Sequence, residues 1–259
     1  MTKNTIYFIG LGLYDEKDLT LKAIESMKQC DTIYAEFYTS VLMGTEIENI
    51  EKIIEKPITV LSREQTERAK IILSSAKKGN VAFLTGGDSM TATTHVDLRI
   101  RAIQQGLNTK IIHGTSIITA VPALLGLQHY KFGRITTLVI PEKNYFPTSP
   151  YDIIKKNKQI GLHTLVLLDI QAENNRYMTA SEGLKVLLKM EEIRKEQILK
   201  PTDLICVVCQ AGSDNPRAYA DTFENMQSFD FGPPLHSMVI PGDLHFMEKE
   251  ALKILTKSS

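Results

Sequence analysis

The segment TIYFIGLGLYDEKDLTLKAIESM, residues 5–27, decides how the fold of this chain is interpreted. Its first six residues form an apolar run typical of a buried strand, and apolar residues recur at helical spacing after an acidic turn. Gly10 and Gly12 separate the strand from that turn. A strand, a glycine-containing turn and a helix in this order predict an α/β sheet that binds a small molecule at the strand end.

The glycine pattern itself has two interpretations. A dinucleotide-binding fingerprint requires a third glycine, which lets the helix pack closely on the strand, and Asp15 occupies that position here. An NAD-dependent oxidoreductase is therefore an alternative with an incomplete pattern. Two glycines after a strand indicate a small-molecule loop without identifying the ligand.

The overall composition narrows the functional class. The chain has 259 residues, and its 30 Lys and Arg balance 30 Asp and Glu. A dedicated nucleic-acid binder would carry a basic excess, which this balance lacks. No apolar run approaches the ~18 residues of a membrane span, and the N-terminal run reaches Asp15 without a cleavage site. We expect a cytoplasmic protein with no nucleic-acid and no membrane partner.

Three cysteines, Cys30, Cys206 and Cys209, are too few for a disulfide framework. Cys206 and Cys209 form a C-x-x-C pattern of the kind found in redox and metal sites, but they lie in an apolar run predicted to be a strand. Side chains three apart on a strand point to opposite faces, which disfavours shared ligation. The sequence predicts buried, reduced thiols and no metal site.

Short apolar runs alternate with helical segments along the whole chain, a pattern typical of a parallel sheet covered by helices. The strand candidates are TIYFIG, DTIYAEF, ITVL, VAFLTG, TKIIHG, ITTLVIP, LHTLVLLDI, LICVVCQ and HSMVIPG. The alternation is interrupted between HGTSII and YKFG. We predict an N-terminal α/β domain over residues 1–114 and a C-terminal α/β domain over residues 115–259.

Helical spacing also predicts which side chains face the core. The sets that share a helical face are Leu21, Ile24 and Met27, then Val96, Ile100 and Ile103, and finally Leu244, Met247, Ala251 and Leu255. Thr179 with Glu182 three residues later predicts a capping box at the start of another helix.

Five places in the sequence are candidates for ligand binding, because open α/β sheets bind ligands outside the carboxyl ends of their strands. They are GLGLYD (10–15), FLTGGDSMTATTH (83–95), HGTSII (113–118), QAGSDNPR (210–217) and His236. In the second of them, Asp88 offers a carboxylate to hydroxyls or amines, with helix capping as its alternative role. A lone histidine such as His236 is more often structural than functional. The long loop PEKNYFPTSPYD (141–152) is expected to be functional.

The sequence contains no phosphate-binding P-loop, no zinc-protease motif, no nucleophile elbow and no kinase motif set. No catalytic residue is therefore assigned. Several small-molecule loops without a nucleophile or a metal indicate chemistry that is delegated to an already activated cofactor.

Taken together, the loops resemble the tetrapyrrole methylase superfamily of S-adenosylmethionine-dependent methyltransferases. In that superfamily a glycine-containing strand end leads to a segment similar to DLTLKA (18–23), and a later strand ends in a Gly-Asp loop, as in LTGGDSM (84–90). Further segments resemble the branch that acts in diphthamide biosynthesis, in order from Ile6 to Leu255. They are YFIGLGLYDEKDLT, AEFYTS, LSRE, ATTHVDLRIRA, YKFG, FPTS, GLHTLVLLDI, RYMTA and QAGSDNP.

The resemblance implies two α/β domains of the tetrapyrrole methylase type, with S-adenosylmethionine in the cleft between them, in a homodimer. It implies elongation factor 2 as the protein substrate, on which the amino group of 3-amino-3-carboxypropyl-histidine is methylated to give diphthine and S-adenosylhomocysteine. The cofactor-binding residues that it implies are Leu13, Asp88, Thr91, Ser116, Ile117, Leu168, Ala211 and His236. Gly10 and Gly12 are then expected to let the strand end approach a nucleoside with an amino-acid tail.

The sequence departs from that branch at two places. Gly86-Gly87-Asp88-Ser89 replaces the usual P-G-D-P, so a less rigid loop is expected. Gln210 replaces a usual arginine, which removes a charge contact from that side chain. Two alternatives remain open: a methyltransferase of the same fold acting on a tetrapyrrole precursor, and a non-catalytic nucleotide-binding module that docks a translation factor.

Overall fold

The structure is a computed structural model that describes residues 4–143 and 145–257. Within these ranges no helix is long and apolar enough to cross a membrane. Asn144 belongs to the loop that the sequence predicts to be functional, and it lies outside the described residues. The role of that loop stays a prediction.

The chain divides into two compact units, and both are α/β as predicted. One unit reaches to Ile117 and includes Gln171–Asn175, while the other comprises Ile118–Ile170 and the chain from Arg176 onward. The domain boundary after residue 114 and the cofactor cleft implied by the resemblance stay predictions.

The first unit is built on a parallel sheet whose strands follow the predicted apolar runs. Its strands are β1 (Thr5–Gly10), β2 (Thr32–Glu36), β3 (Thr59–Val60), β4 (Val81–Thr85) and β5 (Asn108–Ile112), and its helices are α1 (Leu21–Lys28), α2 (Ile47–Ile54), α3 (Arg63–Arg68), α4 (Lys70–Ala76) and α5 (Val96–Gln104). The strand order is β3-β2-β4-β1-β5, with parallel pairing throughout. The carboxyl ends of β4, β1 and β5 therefore lie side by side at one edge of the sheet.

The second unit has a mixed sheet. Its helices are α6 (Ile117–Leu125), α7 (Ser149–Gln159), α8 (Ala180–Arg194), α9 (Phe223–Met226) and α10 (Phe246–Leu255). The strands that follow β5 are β6 (Thr136–Leu138), β7 (Thr164–Leu168), β8 (Ile170–Gln171), β9 (Arg176–Tyr177), β10 (Leu204–Cys209), β11 (Arg217–Thr222) and β12 (His236–Ile240). The sheet order is β11-β10-β12-β7-β6, and β8 pairs with β9 separately.

The prediction of a parallel sheet is confirmed in the first unit and wrong in the second. Only β6 and β7 pair in parallel among the described strands of the second sheet, while β10, β11 and β12 pair antiparallel. Strand β11 follows β10 after the short segment 210–216, and a connection that short joins antiparallel strands. The sequence of β11, RAYADT, contains no apolar run, so an apolar pattern does not predict this strand.

Two of the predicted helix faces are also wrong. In α5, Leu98 and Ala102 are buried, whereas the apolar side chains predicted to face the core are about half exposed. In α10, Glu248 and Leu252 are buried. The exposed predicted residues on these two helices are Val96, Ile100, Ile103, Met247 and Leu255. On α1, Leu21 is exposed as well, whereas Met27 of the same predicted face is buried. Periodicity fails in α10 because its buried face is organised around a charged residue, which an apolar pattern cannot reveal.

Other local predictions are confirmed. Thr179 and Glu182 form a reciprocal capping box at the start of α8. The three cysteines are free and buried, and burial raises the pKa of Cys206 and of Cys209 to about 12. The absence of a metal site stays a prediction, although no cluster of His, Cys, Asp and Glu among the residues that the structure describes could hold a metal ion.

Candidate functional site

Five of the implied cofactor-binding residues follow three neighbouring strands of the first sheet. Leu13 follows β1, Asp88 and Thr91 follow β4, and Ser116 and Ile117 follow β5. Because these strands are parallel neighbours, the five residues lie at one edge of the sheet. The first unit therefore brings together, at a single sheet edge, residues that are far apart in the sequence.

Glycines at this edge allow the strand ends to pack backbone against backbone. A Cβ atom on Gly10 would lie 2.5 Å from the Gly87 carbonyl oxygen and 2.7 Å from the Gly114 nitrogen. Gly12 and Gly87 exchange two backbone hydrogen bonds, of 3.2 and 2.6 Å. A Cβ on Gly87, by contrast, would meet no atom within 4 Å. Gly10 and Gly12 thus serve internal packing, the open position is Gly87, and the approach of a ligand to the strand end at Gly10 stays a prediction.

Asp88 is the most highly connected side chain of the site. Its Oδ1 accepts hydrogen bonds from the Met90 backbone nitrogen and the Thr91 hydroxyl, both at 3.1 Å, and its Oδ2 lies 2.8 Å from Nδ1 of His113. Burial raises the pKa of Asp88, but hydrogen bonds from Met90, His113 and Thr91 outweigh it and hold the pKa below the usual value. Asp88 is therefore an ionised carboxylate at neutral pH.

The alternative that Asp88 caps a helix is not what the structure contains. Helix α5 begins at Val96 with His95 in the capping position, well beyond Asp88. The Asp88 carboxylate instead closes a local turn onto Met90. His113 was not singled out by the sequence, although its place directly after β5, within HGTSII, put it in a candidate loop.

The first glycine loop is held by the DLTLKA segment. Asp18 Oδ2 accepts hydrogen bonds from the backbone nitrogens of Leu13, at 2.9 Å, and Tyr14, at 2.7 Å. Ser116 directly precedes α6, and Ile117 is the first residue of that helix. The backbone at Leu13 and the start of α6 are thus both set by local structure next to the strand ends.

The other three implied residues share an edge of the second sheet. Leu168 ends β7, Ala211 follows β10 by two residues, and His236 begins β12. Since β12 runs antiparallel to both neighbours, its first residue pairs with Cys209 at the end of β10, and its second pairs with Leu167 near the end of β7. The second unit therefore gathers Leu168, Ala211 and His236 at one place.

His236 is a hydrogen-bonded core histidine. Its Nδ1 accepts from the Ala180 backbone nitrogen at 3.0 Å, which leaves Nε2 to donate to the Pro233 carbonyl oxygen at 2.9 Å. Burial lowers the pKa of His236, so the ring is neutral at physiological pH. Both ring nitrogens are used within the second unit, and a cofactor contact by His236 stays a prediction.

Comparison with known proteins identifies the family. Residues 5–227 match the family model of the Tetrapyrrole (Corrin/Porphyrin) Methylases. The chain is 51% identical over 247 residues to a relative named diphthine synthase from Methanococcus maripaludis, covering 95% of this chain and 96% of the relative. A diphthine synthase from Methanosphaera stadtmanae is 48% identical, with coverage of 95% and 94%.

A solved structure has the same fold over nearly its full length. It is described as a crystal structure of diphthine synthase, and it superposes with a TM-score of 0.90 at 34% identity, covering 99% of this chain and 97% of that one. The chain therefore belongs to the tetrapyrrole methylase family and, within it, to the diphthine synthases.

Proposed function

We propose that this protein transfers methyl groups from S-adenosylmethionine to the amino nitrogen of 3-amino-3-carboxypropyl-histidine on elongation factor 2, which gives diphthine. The observation that carries the proposal is the identity of 51% over 247 residues to a relative named diphthine synthase. The geometry of the first sheet edge supports it, because this edge provides an ionised carboxylate beside an open glycine.

The residues of this edge fit the chemistry of the cofactor. S-adenosylmethionine carries donor groups, namely an amine and ribose hydroxyls, which a carboxylate accepts. A carboxylate has about four acceptor positions, and Asp88 uses three of them on Met90, Thr91 and His113. One position is left for a ligand donor, and the open Cβ side of Gly87 gives a ligand access to the neighbouring backbone.

When bound, the cofactor supplies a methyl group on a sulfonium, an activated leaving group that needs no metal or acid. The residues of this chain would hold the reactants in line and exclude water. They must also receive the substrate amine unprotonated, and a free α-amino group titrates near pH ~8. The lowered pKa of Asp88 makes it a weak base, so its proposed role is binding, and no dedicated general base is proposed.

The proposal is tested by the intact mass of elongation factor 2 that carries the unmethylated 3-amino-3-carboxypropyl-histidine. Stepwise gain of methyl groups is expected after incubation with this protein and S-adenosylmethionine, and none without the cofactor. Asp88→Ala should abolish the gain, while Asp97→Ala on the exposed face of α5 is the matched control. No gain with the wild-type protein, despite binding of S-adenosylhomocysteine, would contradict the proposed substrate and favour a tetrapyrrole precursor or a binding module.

Three further parts of the proposal do not depend on the site. Assembly as a homodimer rests on the resemblance, whereas a cytoplasmic location and the domain boundary after residue 114 rest on the sequence pattern. For the dimer, sedimentation should give twice the 29.1 kDa mass of the chain. A mass equal to one chain at micromolar concentration would contradict it.

A further inference from the structure

A buried carboxyl and a buried imidazole lie next to the proposed cofactor site, and neither belongs to it. Glu36 is the last residue of β2 and part of AEFYTS, and His95 directly precedes α5. Their exposed fractions are 0% and 3%, and Nε2 of His95 lies 3.4 Å from Oε1 of Glu36. A buried acid facing a buried imidazole is costly unless the arrangement has a compensating role.

The hydrogen bonds of His95 determine where its proton lies. Nδ1 is 3.3 Å from the Ser89 carbonyl oxygen, which can only accept, and 3.4 Å from the Thr85 hydroxyl. Nδ1 therefore carries the proton, and Nε2 presents a lone pair towards the Glu36 carboxyl. Two lone pairs facing each other repel, so the interaction is attractive when the Glu36 carboxyl is protonated.

The surroundings of Glu36 act on its ionisation in opposite directions, so the proton on Glu36 is inferred from the geometry at His95. Burial raises the pKa of Glu36, against hydrogen bonds from Thr39 and Tyr38, and burial lowers the pKa of His95 to about 4. Thr39 donates its backbone nitrogen to Oε2 at 3.2 Å, and its hydroxyl lies 2.5 Å from Oε1. Tyr38 is the neighbouring titratable group, and burial raises its pKa to about 12.

The hydrogen bond between Glu36 and Nε2 of His95 is not formed in this structure. In the described part of the chain, Nε2 of His95 and the buried hydroxyls of Ser89 and Thr93 have no hydrogen-bond partner. All three belong to the segment 86–95, here named the Asp88 loop. Ala92 in the same loop has a φ of 55°, a left-handed conformation that is unfavourable for a residue other than glycine. Unsatisfied polar atoms and backbone strain in one loop are typical of a segment that tightens on a ligand.

The AEFYTS segment contacts the Asp88 loop at both ends. At the start of the loop, Ser40 occupies the space beside Gly86, where a Cβ would collide with the serine hydroxyl. At the end of the loop, Glu36 faces His95. Between these two contacts lies Asp88, whose carboxylate the proposed function requires.

We propose that Glu36, in its protonated form, and His95 are a positioning pair that closes the Asp88 loop when S-adenosylmethionine binds. The inference rests on the proposed function. The closing hydrogen bond runs from the Glu36 carboxyl to Nε2 of His95, and it holds Asp88 and Thr91 in place for the cofactor. Neither side chain touches the reacting atoms.

Two substitutions at position 36 separate a protonated acid from a charged one. Glu36→Gln keeps an N–H donor for Nε2, whereas Glu36→Leu fills the space without a donor. Calorimetry with S-adenosylhomocysteine should give a Kd within about two-fold of wild type for Glu36→Gln and raised about ten-fold or more for Glu36→Leu. Turnover should show the loss in KM for S-adenosylmethionine, with kcat retained, because the pair acts on the loop rather than on the chemistry.

A second variant covers the possibility that Glu36→Leu does not fold. His95→Phe keeps the ring edge against Phe83, where the centroids are 5.0 Å apart, and removes both nitrogens. It should raise the Kd as Glu36→Leu does, and the double variant should be no weaker than either single one.

The outcomes distinguish this inference from the proposed function. If the wild type binds S-adenosylhomocysteine but Glu36→Gln binds it as weakly as Glu36→Leu does, Glu36 does not act as a protonated donor. If every variant keeps the wild-type Kd, the pair does not position the loop. If the wild type binds no cofactor, the proposed function fails. In that case, hydrogen exchange tests the Glu36–His95 pair without the cofactor. Equal protection of the backbone amides of the Asp88 loop in Glu36→Gln and Glu36→Leu would overturn the inference.

Discussion

Glu36 with His95 in the first unit and Glu248 with His163 in the second are both buried carboxyl–imidazole pairs, but their surroundings differ. Glu248 accepts hydrogen bonds from Nε2 of His163 at 3.0 Å, from Nζ of Lys131 at 2.6 Å and from two backbone nitrogens. Glu36 accepts from Thr39 and Tyr38 and faces an imidazole nitrogen without a proton.

The difference shifts the pKa values of the two glutamates in opposite directions. Burial raises the pKa of Glu248, but the hydrogen bonds from Lys131, the backbone and His163 outweigh it and lower the pKa to about 2. Burial prevails at Glu36 and raises its pKa. The satisfied, ionised cluster anchors α10 and serves stability. The Glu36–His95 pair, in which we propose that Glu36 is protonated, is incompletely hydrogen-bonded and is free to respond to a ligand, which is why we assign it to the cofactor loop.

The largest effect on stability is expected from breaking the satisfied cluster. Glu248→Leu leaves the ammonium of Lys131 beside a buried apolar side chain, which costs about 3–5 kcal/mol of unfolding free energy. Glu250→Ala, on the exposed side of α10, should change it by about 0.5 kcal/mol or less. Denaturant unfolding measures both. Equal losses in the two variants would mean that the second cluster is not an anchor.

The glycines of the first sheet edge also differ from one another, in the space that surrounds them. A Cβ on Gly114 would lie 2.7 Å from the carbonyl carbon of Gly10, so Gly114→Ala forces backbone apart and should cost about 3 kcal/mol. Gly87→Ala meets no atom within 4 Å and should cost about 1 kcal/mol, from its φ of 71°. If thermal unfolding reverses this order, Gly87 is a packing position and not an open one.

The two glutamates should make the free energy of unfolding depend on pH in opposite directions. The pKa of Glu248 is lowered from 4.5 to about 2, so its contribution is present above pH 4.5 and disappears as the pH falls towards 2. The pKa of Glu36 is raised above 4.5, so its contribution is present below pH 4.5 and is lost as the pH rises through the folded-state pKa.

The free energy of unfolding of the wild type, of Glu248→Gln and of Glu36→Gln is measured between pH 2 and pH 8. The difference between the wild type and each variant, followed against pH, gives the contribution of that glutamate. The difference for Glu248 should grow with rising pH, and the difference for Glu36 should shrink. Slopes of the same sign would remove the distinction between the two pairs.

Much of the fold follows from local patterns, because apolar runs and capping residues act over a few neighbours. Strand β11 does not follow from an apolar pattern because it is polar, and the buried face of α10 does not because Glu248 occupies its centre. The sheet-edge positions of the site residues follow from strand ends. Their assignment to a cofactor came from family resemblance and not from their chemistry.

Residues that meet only through the tertiary fold could not be predicted from the sequence. Glu36 and His95 lie in separate motifs, and nothing in either motif indicates that β2 and the start of α5 place them 3.4 Å apart. The same holds for the hydrogen bond of His113 to Asp88. The sequence pattern does not distinguish close backbone packing from ligand approach at Gly10, because both require a glycine.

The most direct test is the tautomeric state of two histidines, read from nitrogen-15 resonances of histidine-labelled protein with and without S-adenosylhomocysteine. His95→Gln and His163→Gln would assign the signals. We expect opposite neutral tautomers, with the proton on Nδ1 in His95 and on Nε2 in His163, which accepts from Gly242 at Nδ1. Cofactor binding should shift the His95 resonances and leave those of His163 unchanged. An imidazolium at His95, matching tautomers, or an equal response of both rings would contradict it.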